Sequence, residues 1–307
     1  MTGNKCLSLG LVLWLVLPLK VVAEGSVYFL YDETNPQHVN YVRDSEMLLR
    51  KALPELNSVK LTLARAGLLA TVSEGRTLVI TVGSSAARLA MESGLPTLNT
   101  MITRRHFESI KEAYKSPVTA LYLEQPFSRM LTLVKTTLPD RDQITVILGP
   151  TSKQMQQEIS DACQVQGLRC TSVVVEDQAG LEQAQQFAAS SGKVMLVLPD
   201  PQVVNGSTAR NLILGAYRRG VALVGYSNAL VKAGALMSVH SSPGQLGEDA
   251  AAMAIEVLQR GSLRVPPARY PERFTVSVNY QLARALQLDL ATEASLTNAI
   301  ERAERNE

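Results

Sequence analysis

The sequence predicts an α/β protein made of two similar lobes, each with a parallel β-sheet covered by helices. Short apolar runs rich in β-branched residues alternate with helical segments, the pattern that parallel sheets produce. This alternation forms two series of similar rhythm, separated by a change of pace around residues 117–122. The chain has 307 residues, which is enough for two lobes with their own hydrophobic cores.

The first series begins at Ser26, and Asn35-Pro36 separates its first strand from its first helix. Its predicted strands cover residues 27–31, 59–64, 77–82 and 95–102. Its predicted helices cover residues 38–53, a segment that starts after residue 83, and a segment that ends near residue 115.

The second series repeats the alternation without a low-complexity linker. Its predicted helices cover residues 127–138, 153–166, 181–190 and 207–219, and its predicted strands cover residues 144–148, 171–175, 194–198 and 221–225. Two later strands, residues 235–239 and 274–278, a helix over residues 246–258 and two terminal helices complete the existing sheets. We therefore expect residues 24–117 plus 239–272 to form lobe I, and residues 118–238 plus 273–307 to form lobe II.

The N-terminal residues have the pattern of a cleaved secretory signal peptide. Lys5 precedes an apolar segment over residues 7–19, and Val21-Val22-Ala23 places small residues where a signal peptidase cuts. We expect residues 1–23 to be removed and the mature protein to be periplasmic. The alternative is an uncleaved N-terminal anchor, because Lys20 and Pro18 make the end of the apolar segment irregular. No later segment of the sequence is long enough to span a membrane.

Charge and cysteine usage narrow the function further. The chain has 30 basic and 28 acidic residues, so the excess of Lys and Arg that nucleic-acid binding requires is absent. The cluster Arg104-Arg105-His106 is interpreted as a solvated helix start rather than an anion site.

Cys163 and Cys170 form either a local disulfide or two buried thiols.

Neither catalysis nor metal binding is predicted. The three His residues are scattered without metal-ligand spacing, and no nucleophile has an oriented base nearby in the sequence. Phosphate-binding, dinucleotide-binding and Gly-x-Ser-x-Gly motifs do not occur. We expect a protein that is not an enzyme and has no cofactor.

Residues 78–90, LVITVGSSAARLA, form the clearest junction between a strand and a helix. The apolar run stops at Gly83, and Ser84 and Ser85 follow at the start of the helix. Exposed amides and the helix dipole at such a start favour an anionic ligand group. The alternative is that both serines only cap the helix.

The C-terminal part resembles a known family. The matching pieces are Gly234-Ala235-Leu236, Leu246-Gly247 entering an Ala-rich helix, residues 258–261, and Val278-Asn279 before residues 283–286. Weaker similarity covers residues 80–87, 133–139 and 197–200. In combination these pieces resemble the ABC-transporter substrate-binding family that includes tryptophan- and tyrosine-type binding proteins.

The resemblance implies the type I periplasmic binding protein architecture, with two Rossmann-like lobes, three crossover segments and a ligand closed between the lobes. On the first lobe it implies that Ser84 and Ser85 offer hydroxyls and amides to a ligand carboxylate. Asn99 and Thr100, at the end of the next strand, would face the same cleft. The alternative for Asn99 is that it satisfies the backbone at a strand end.

On the second lobe the resemblance implies that Asp200 accepts a ligand ammonium and that Tyr226 stacks on the ligand. Asp200 precedes Pro201, so its alternative is to cap the following turn. Tyr31 is a further candidate, and both tyrosines have the alternative of packing as cleft walls without selectivity.

The sequence also departs from the family pattern. The segment over residues 63–75 is shorter than the usual helix and loop, and residues 95–106 lack the Asp-Pro turn that normally follows the fourth strand. The only tryptophan is Trp14, within the predicted signal peptide, so stacking on a ligand falls to Tyr or Phe. We expect one wall of the site to be remodelled.

The function that these features predict is that of a monomeric periplasmic solute-binding protein of an ABC-type uptake system. It would bind a small, carboxylate-bearing, amino-acid-like ligand by hinge closure and present it to a membrane permease. The alternative keeps the fold but assigns a sensing module that docks on a receptor, kinase or cyclase ectodomain.

Overall fold

The computed structural model describes residues 25–72, 76–259 and 265–305. The predicted signal peptide, residues 1–23, lies outside this range. The described chain contains two separate β-sheets, each with helices packed on both faces. None of the helices in these ranges is both long enough and apolar enough to cross a membrane.

The strands follow the predicted alternation closely. In chain order they are β1 (Ser26–Tyr31), β2 (Asn57–Thr62), β3 (Thr77–Val82), β4 (Thr97–Ile102), β5 (Val118–Tyr122), β6 (Gln143–Leu148), β7 (Arg169–Val174), β8 (Val194–Val197), β9 (Ala222–Gly225), β10 (Met237–His240) and β11 (Thr275–Val278).

The helices connect successive strands and cover the sheets. In chain order they are α1 (Pro36–Ala52), α2 (Ser84–Met91), α3 (Arg104–Lys111), α4 (Phe127–Thr137), α5 (Gln156–Val165), α6 (Gln178–Ser190), α7 (Ala209–Arg218), α8 (Asn228–Ala233), α9 (Pro243–Gln259), α10 (Tyr280–Ala285) and α11 (Glu293–Glu304). Two 3₁₀ helices, Leu63–Thr71 and Lys153–Met155, complete the connections.

The first sheet has the order β2-β1-β3-β4-β5, and all its strands are parallel. Every residue of β3 is buried, as expected for a continuous apolar run at the centre of a parallel sheet. The apolar faces of α1 and α9 pack on one side of this sheet, while α2 and the first 3₁₀ helix pack on the other. Thus α9, far along the chain, belongs to the first lobe.

The second sheet has the order β11-β10-β9-β8-β6-β7, with β11 antiparallel to β10 and the remaining pairs parallel. Helices α4, α5 and α11 cover one face, and α6 and α7 cover the other. Cys163 in α5 and Cys170 in β7 form a disulfide with Cα atoms 6.0 Å apart, so the bridge joins a helix to the strand that follows it.

The predicted lobe boundaries need two corrections at the strand level. Residues 118–122 were assigned to lobe II, but they form β5 and pair with β4 of the first sheet, where Ala120 and Leu121 are buried. Residues 239 and 240 were assigned to lobe I, but they end β10 of the second sheet. The backbone pairing of the first sheet thus continues one strand further than the sequence pattern indicates, and that of the second sheet continues two residues further.

Within the described residues the chain passes between the sheets three times, after β5, after β10 and before β11. Arg129 links two of these crossings. Its buried guanidinium donates to Gln125 Oε1 at 2.7 Å, to the Pro271 carbonyl at 2.6 Å, and to both carboxylate oxygens of Glu304. It also lies 4.3 Å from the centre of the Phe274 ring.

We predict that Arg129→Met lowers the free energy of unfolding by about 2–4 kcal/mol, because it leaves buried acceptors without a donor. Chemical denaturation of the purified protein measures this change. Arg43→Ala is the control, because the Arg43–Asp44 ion pair is exposed to solvent; its effect should stay within about 0.5 kcal/mol. Equal effects of the two substitutions would contradict the role assigned to Arg129.

Candidate functional site

The carboxyl ends of the parallel strands in both sheets border a cavity of about 380 Å³. Small-molecule sites in proteins typically have volumes of about 300–1,000 Å³. Its lining residues come from both lobes and from the crossings: Ser84, Thr103, Arg105, His106, Glu124, Gln125, Phe127, Met130, Thr151, Ser152, Met155, Leu198, Pro199, Pro201, Tyr226, Val239 and Tyr270.

The junction between β3 and α2 reaches the cavity through Ser84. Gly83 precedes it with φ of +88°, and a Cβ atom there would lie 2.9 Å from His38 Cε1. A glycine is therefore required by both the backbone conformation and the close histidine ring. Ser85 follows on the exposed side of the helix and is not among the residues that line the cavity.

The junction between β4 and α3 contributes the charged part of the wall. The Thr103 hydroxyl accepts a hydrogen bond from the His106 N–H at 3.3 Å and so caps α3. The carboxylate of Glu124, in the first crossing, accepts from the Arg104 N–H at 2.7 Å. Burial raises the pKa of Glu124 above its usual range, because a shielded carboxylate ionises less readily.

Arg105 and His106 do lie at the start of a helix, since α3 begins at Arg104, but they are not fully solvated as the sequence pattern predicts. Each is half-buried and lines the cavity. Burial lowers the pKa of His106, and the nearby Arg88 charge lowers it further. The second lobe lies over this end of α3, as the ion pair between Arg104 and Glu158 of α5 illustrates.

The second lobe presents a mainly apolar wall. Phe127 and Met130 come from α4, and Leu198 and Pro199 follow β8. Tyr226 follows β9 and is half-buried at the cavity; burial raises the pKa of its hydroxyl, and the charge of Asp200 raises it further.

Asp200 is buried beneath this wall rather than on its surface. Its Oδ2 atom accepts from the Ser152 N–H at 2.9 Å and the Ser152 hydroxyl at 2.8 Å, and its Oδ1 atom accepts from the Gln202 N–H at 3.0 Å. Burial opposes ionisation, yet these hydrogen bonds and one from Thr151 lower the pKa of Asp200. The carboxylate thus ties together the loops that follow β6 and β8.

The other predicted site residues also have partners within the protein. Asn99 accepts from the Thr81 hydroxyl at 2.9 Å and donates to the Thr119 carbonyl at 3.0 Å, which links three strands. The Thr100 hydroxyl donates to the Thr81 carbonyl at 2.6 Å. Tyr31 packs against the first core. Of the predicted ligand residues, only Ser84 and Tyr226 line the cavity.

A second, more open cavity of about 590 Å³ adjoins the first. Arg105, Glu124, Met155 and Tyr270 line both cavities and so form the partition between them. Tyr270 packs edge-on against Tyr122 with ring centres 5.1 Å apart. We call this space the outer cavity.

Sequence and structure comparisons identify related proteins. A family model described as ABC transporter substrate binding protein matches residues 60–301. A search of curated proteins gave no significant match.

Several solved structures share the fold at low sequence identity. An ABC domain from Streptococcus pneumoniae, in complex with L-Trp, is 16% identical with a TM-score of 0.59, covering 90% of this chain and 98% of that one. A ligand-free, open substrate binding protein with adhesive properties from Clostridium difficile is 15% identical with a TM-score of 0.67, covering 87% and 96%. A conserved domain protein from Vibrio cholerae is 15% identical with a TM-score of 0.59, covering 90% and 98%.

We predict that Asp200→Asn lowers the free energy of unfolding at pH 7 by about 1–3 kcal/mol, because an amide N–H₂ would face an N–H donor. The folded-state pKa of Asp200 is lowered, so its stabilisation is present above its ordinary pKa and is lost as pH falls through the folded value. The difference between wild type and variant should therefore shrink in acid, as measured by denaturant unfolding from pH 7 to pH 3.

Asp177→Asn is the matched control. The exposed Asp177 side chain caps α6 by accepting one hydrogen bond from the Gly180 N–H, and the side-chain oxygen of an asparagine can accept the same hydrogen bond. A loss of stability as large as that of Asp200→Asn would argue against the internal role of Asp200.

Proposed function

This chain belongs to the ABC transporter substrate binding protein family, and from that premise we propose that it is the periplasmic binding component of an ABC-type uptake system. It binds a small ligand in the cavity between the two lobes and delivers it, chemically unchanged, to a membrane permease. The ligand carries a carboxylate and resembles an amino acid.

The observation that carries this proposal is the cavity itself. Its wall combines residues that follow strands of the first sheet, such as Ser84 and Arg105, with residues that follow strands of the second, such as Leu198 and Tyr226. A ligand held there contacts both lobes, so it stabilises the conformation in which the lobes lie together. Binding is then coupled to closure through the three crossings.

Residues on both lobes support a carboxylate-bearing ligand. Ser84 is the first residue of α2, where backbone N–H groups have no partner within the helix. Arg105 supplies a cation on the same lobe. Tyr226, Phe127 and Met130 supply aromatic and apolar surface for the remainder of the ligand.

The proposed location follows from the N-terminal sequence. A signal peptide ending at Ala23 would release the mature chain into the periplasm, where a binding component meets its permease. The mature protein would act as a monomer, with one ligand for each closed chain.

We predict that Ser84→Phe abolishes ligand binding, whereas Ser85→Phe retains it. A phenyl ring at residue 84 enters the cavity, while the same ring at residue 85 lies on the exposed side of α2. Thermal-shift measurements against common L-amino acids, sugars and small organic acids test this difference. A ligand at a hundred times its Kd stabilises the wild type by about 2.7 kcal/mol.

Both variants should keep the melting temperature of the ligand-free protein to within a few degrees. If no compound in the panel stabilises the wild type, the binding function fails. If a compound stabilises wild type and Ser84→Phe equally, it binds elsewhere and the cavity is not the site.

A further inference from the structure

We infer that Glu124 determines ligand specificity by requiring an N–H donor on a ligand whose acceptor group is bound by Arg105. The inference rests on the proposed function and concerns the same cavity. It assigns recognition of the polar end of the ligand to the start of α3 and the first crossing, rather than to the start of α2 alone.

Three polar atoms on this wall are shielded from solvent and have no hydrogen-bond partner among the described residues. They are Arg105 Nη1, His106 Nε2 and Glu124 Oε2. Each belongs to a side chain that lines the cavity. Buried polar atoms are almost always paired, because an unpaired one has lost its hydration without compensation. A group of three at one wall therefore indicates a surface that a ligand completes.

The positions of two of these groups are restrained by the fold. Glu124 Oε1 accepts from the Arg104 N–H at 2.7 Å at the first turn of α3, which leaves Oε2 as the free acceptor. Arg105 is the next residue of the same helical turn. Both side chains belong to the partition between the cavity and the outer cavity.

The two groups have opposite hydrogen-bonding character. A guanidinium can only donate, so Arg105 Nη1 requires an acceptor, for which a carboxylate is the strongest partner. The ionised carboxylate of Glu124 can only accept, so Oε2 requires a donor. Burial raises the pKa of Glu124, while the N–H group and the charge of Arg104 lower it, so a donor at Oε2 adds to the stabilisation of the charged form.

The opposite wall contains Phe127, Met130, Leu198 and Pro199, which offer no comparable polar groups. The ligand is therefore a small dipolar molecule, with an anionic group and an N–H group close together at one end and an apolar body at the other. A carboxylic acid that lacks nitrogen would leave Glu124 Oε2 unpaired, and sites built to hydrogen-bond a group strongly reject analogues without it.

The test is a set of matched probes, measured by isothermal titration calorimetry on the purified mature protein. Each apolar L-amino acid is compared with the carboxylic acid that lacks its amino group and with the amine that lacks its carboxylate; for phenylalanine these are phenylpropanoate and phenylethylamine. We expect an amino acid to bind, and both of its analogues to bind about 10- to 100-fold more weakly.

Substitutions then assign each half of the ligand to its residue. Glu124→Gln should weaken amino-acid binding by about 10- to 100-fold and remove the preference over the carboxylic acid. Arg105→Gln should weaken the amino acid and the carboxylic acid alike. Glu108→Gln is the matched control. Glu108 lies on α3, the helix that also contains Arg105, and it lines the outer cavity but not the ligand cavity. The selectivity of this variant should equal that of wild type.

Two results would overturn the inference while the function of binding a small ligand between the lobes stands. One is a nitrogen-free ligand that binds wild type as tightly as its amino counterpart and loses binding in Ser84→Phe. The other is Glu124→Gln with unchanged selectivity. If wild type binds none of the amino acids, sugars or organic acids, the proposed function fails, and the inference fails with it.

Discussion

The buried guanidinium of Arg129 holds together the segments that set the distance between the two sheets. It binds Gln125 in the first crossing, the Pro271 carbonyl in the third, and Glu304 in the last helix. A planar group with five donors can satisfy four acceptor oxygens on three residues in fixed directions, which a lysine ammonium does less well. Asp249 of α9 forms a second connection, because its carboxylate accepts hydrogen bonds from the backbone N–H groups of Glu272 and Arg273, which follow Pro271. The cavity has walls on both lobes, so its shape depends on these connections.

Parallel strand order determines where the cavity walls come from. All strands of the first sheet, and all but β11 of the second, run in one direction. The loops after β3, β4, β6, β8 and β9 therefore emerge at carboxyl edges, and these edges of the two sheets face each other. Close approach at these edges requires small residues. A Cβ on Gly83 would meet the His38 ring at 2.9 Å, and one on Gly149 would lie 2.6 Å from the Asp200 carboxylate. The two glycines thus leave room for the side chains of His38 and Asp200 to pack against the loops.

The fold could be predicted from the sequence more fully than the site could, because the fold follows from local sequence pattern and the site depends on distant contacts. The apolar run of β3 and the repeated alternation depend on local pattern, so they were predicted. Ser84 was expected from the junction between a strand and a helix, and Tyr226 from the family resemblance; both line the cavity. A polar residue at a strand end can instead serve the protein, and the choice depends on distant partners, such as Ser152 for Asp200. Arg105 has the pattern of a solvated helix start, yet its Nη1 atom is shielded from solvent in the folded chain.

The asymmetry of the cavity suggests how recognition and closure divide between the lobes. The charged groups lie on the first lobe and its crossing, while the second lobe supplies mainly apolar surface. Under the proposed mode of binding, a ligand held by Arg105 and Glu124 in an open conformation would still share those hydrogen bonds with water. When the apolar wall covers it, the water leaves, and the same hydrogen bonds become stronger in the lower dielectric. A ligand with mismatched polar groups would be covered with those groups unpaired, so its closed state would be less stable. Under the proposed function, the second lobe would therefore add to the discrimination between ligands, because closure amplifies the match made on the first lobe.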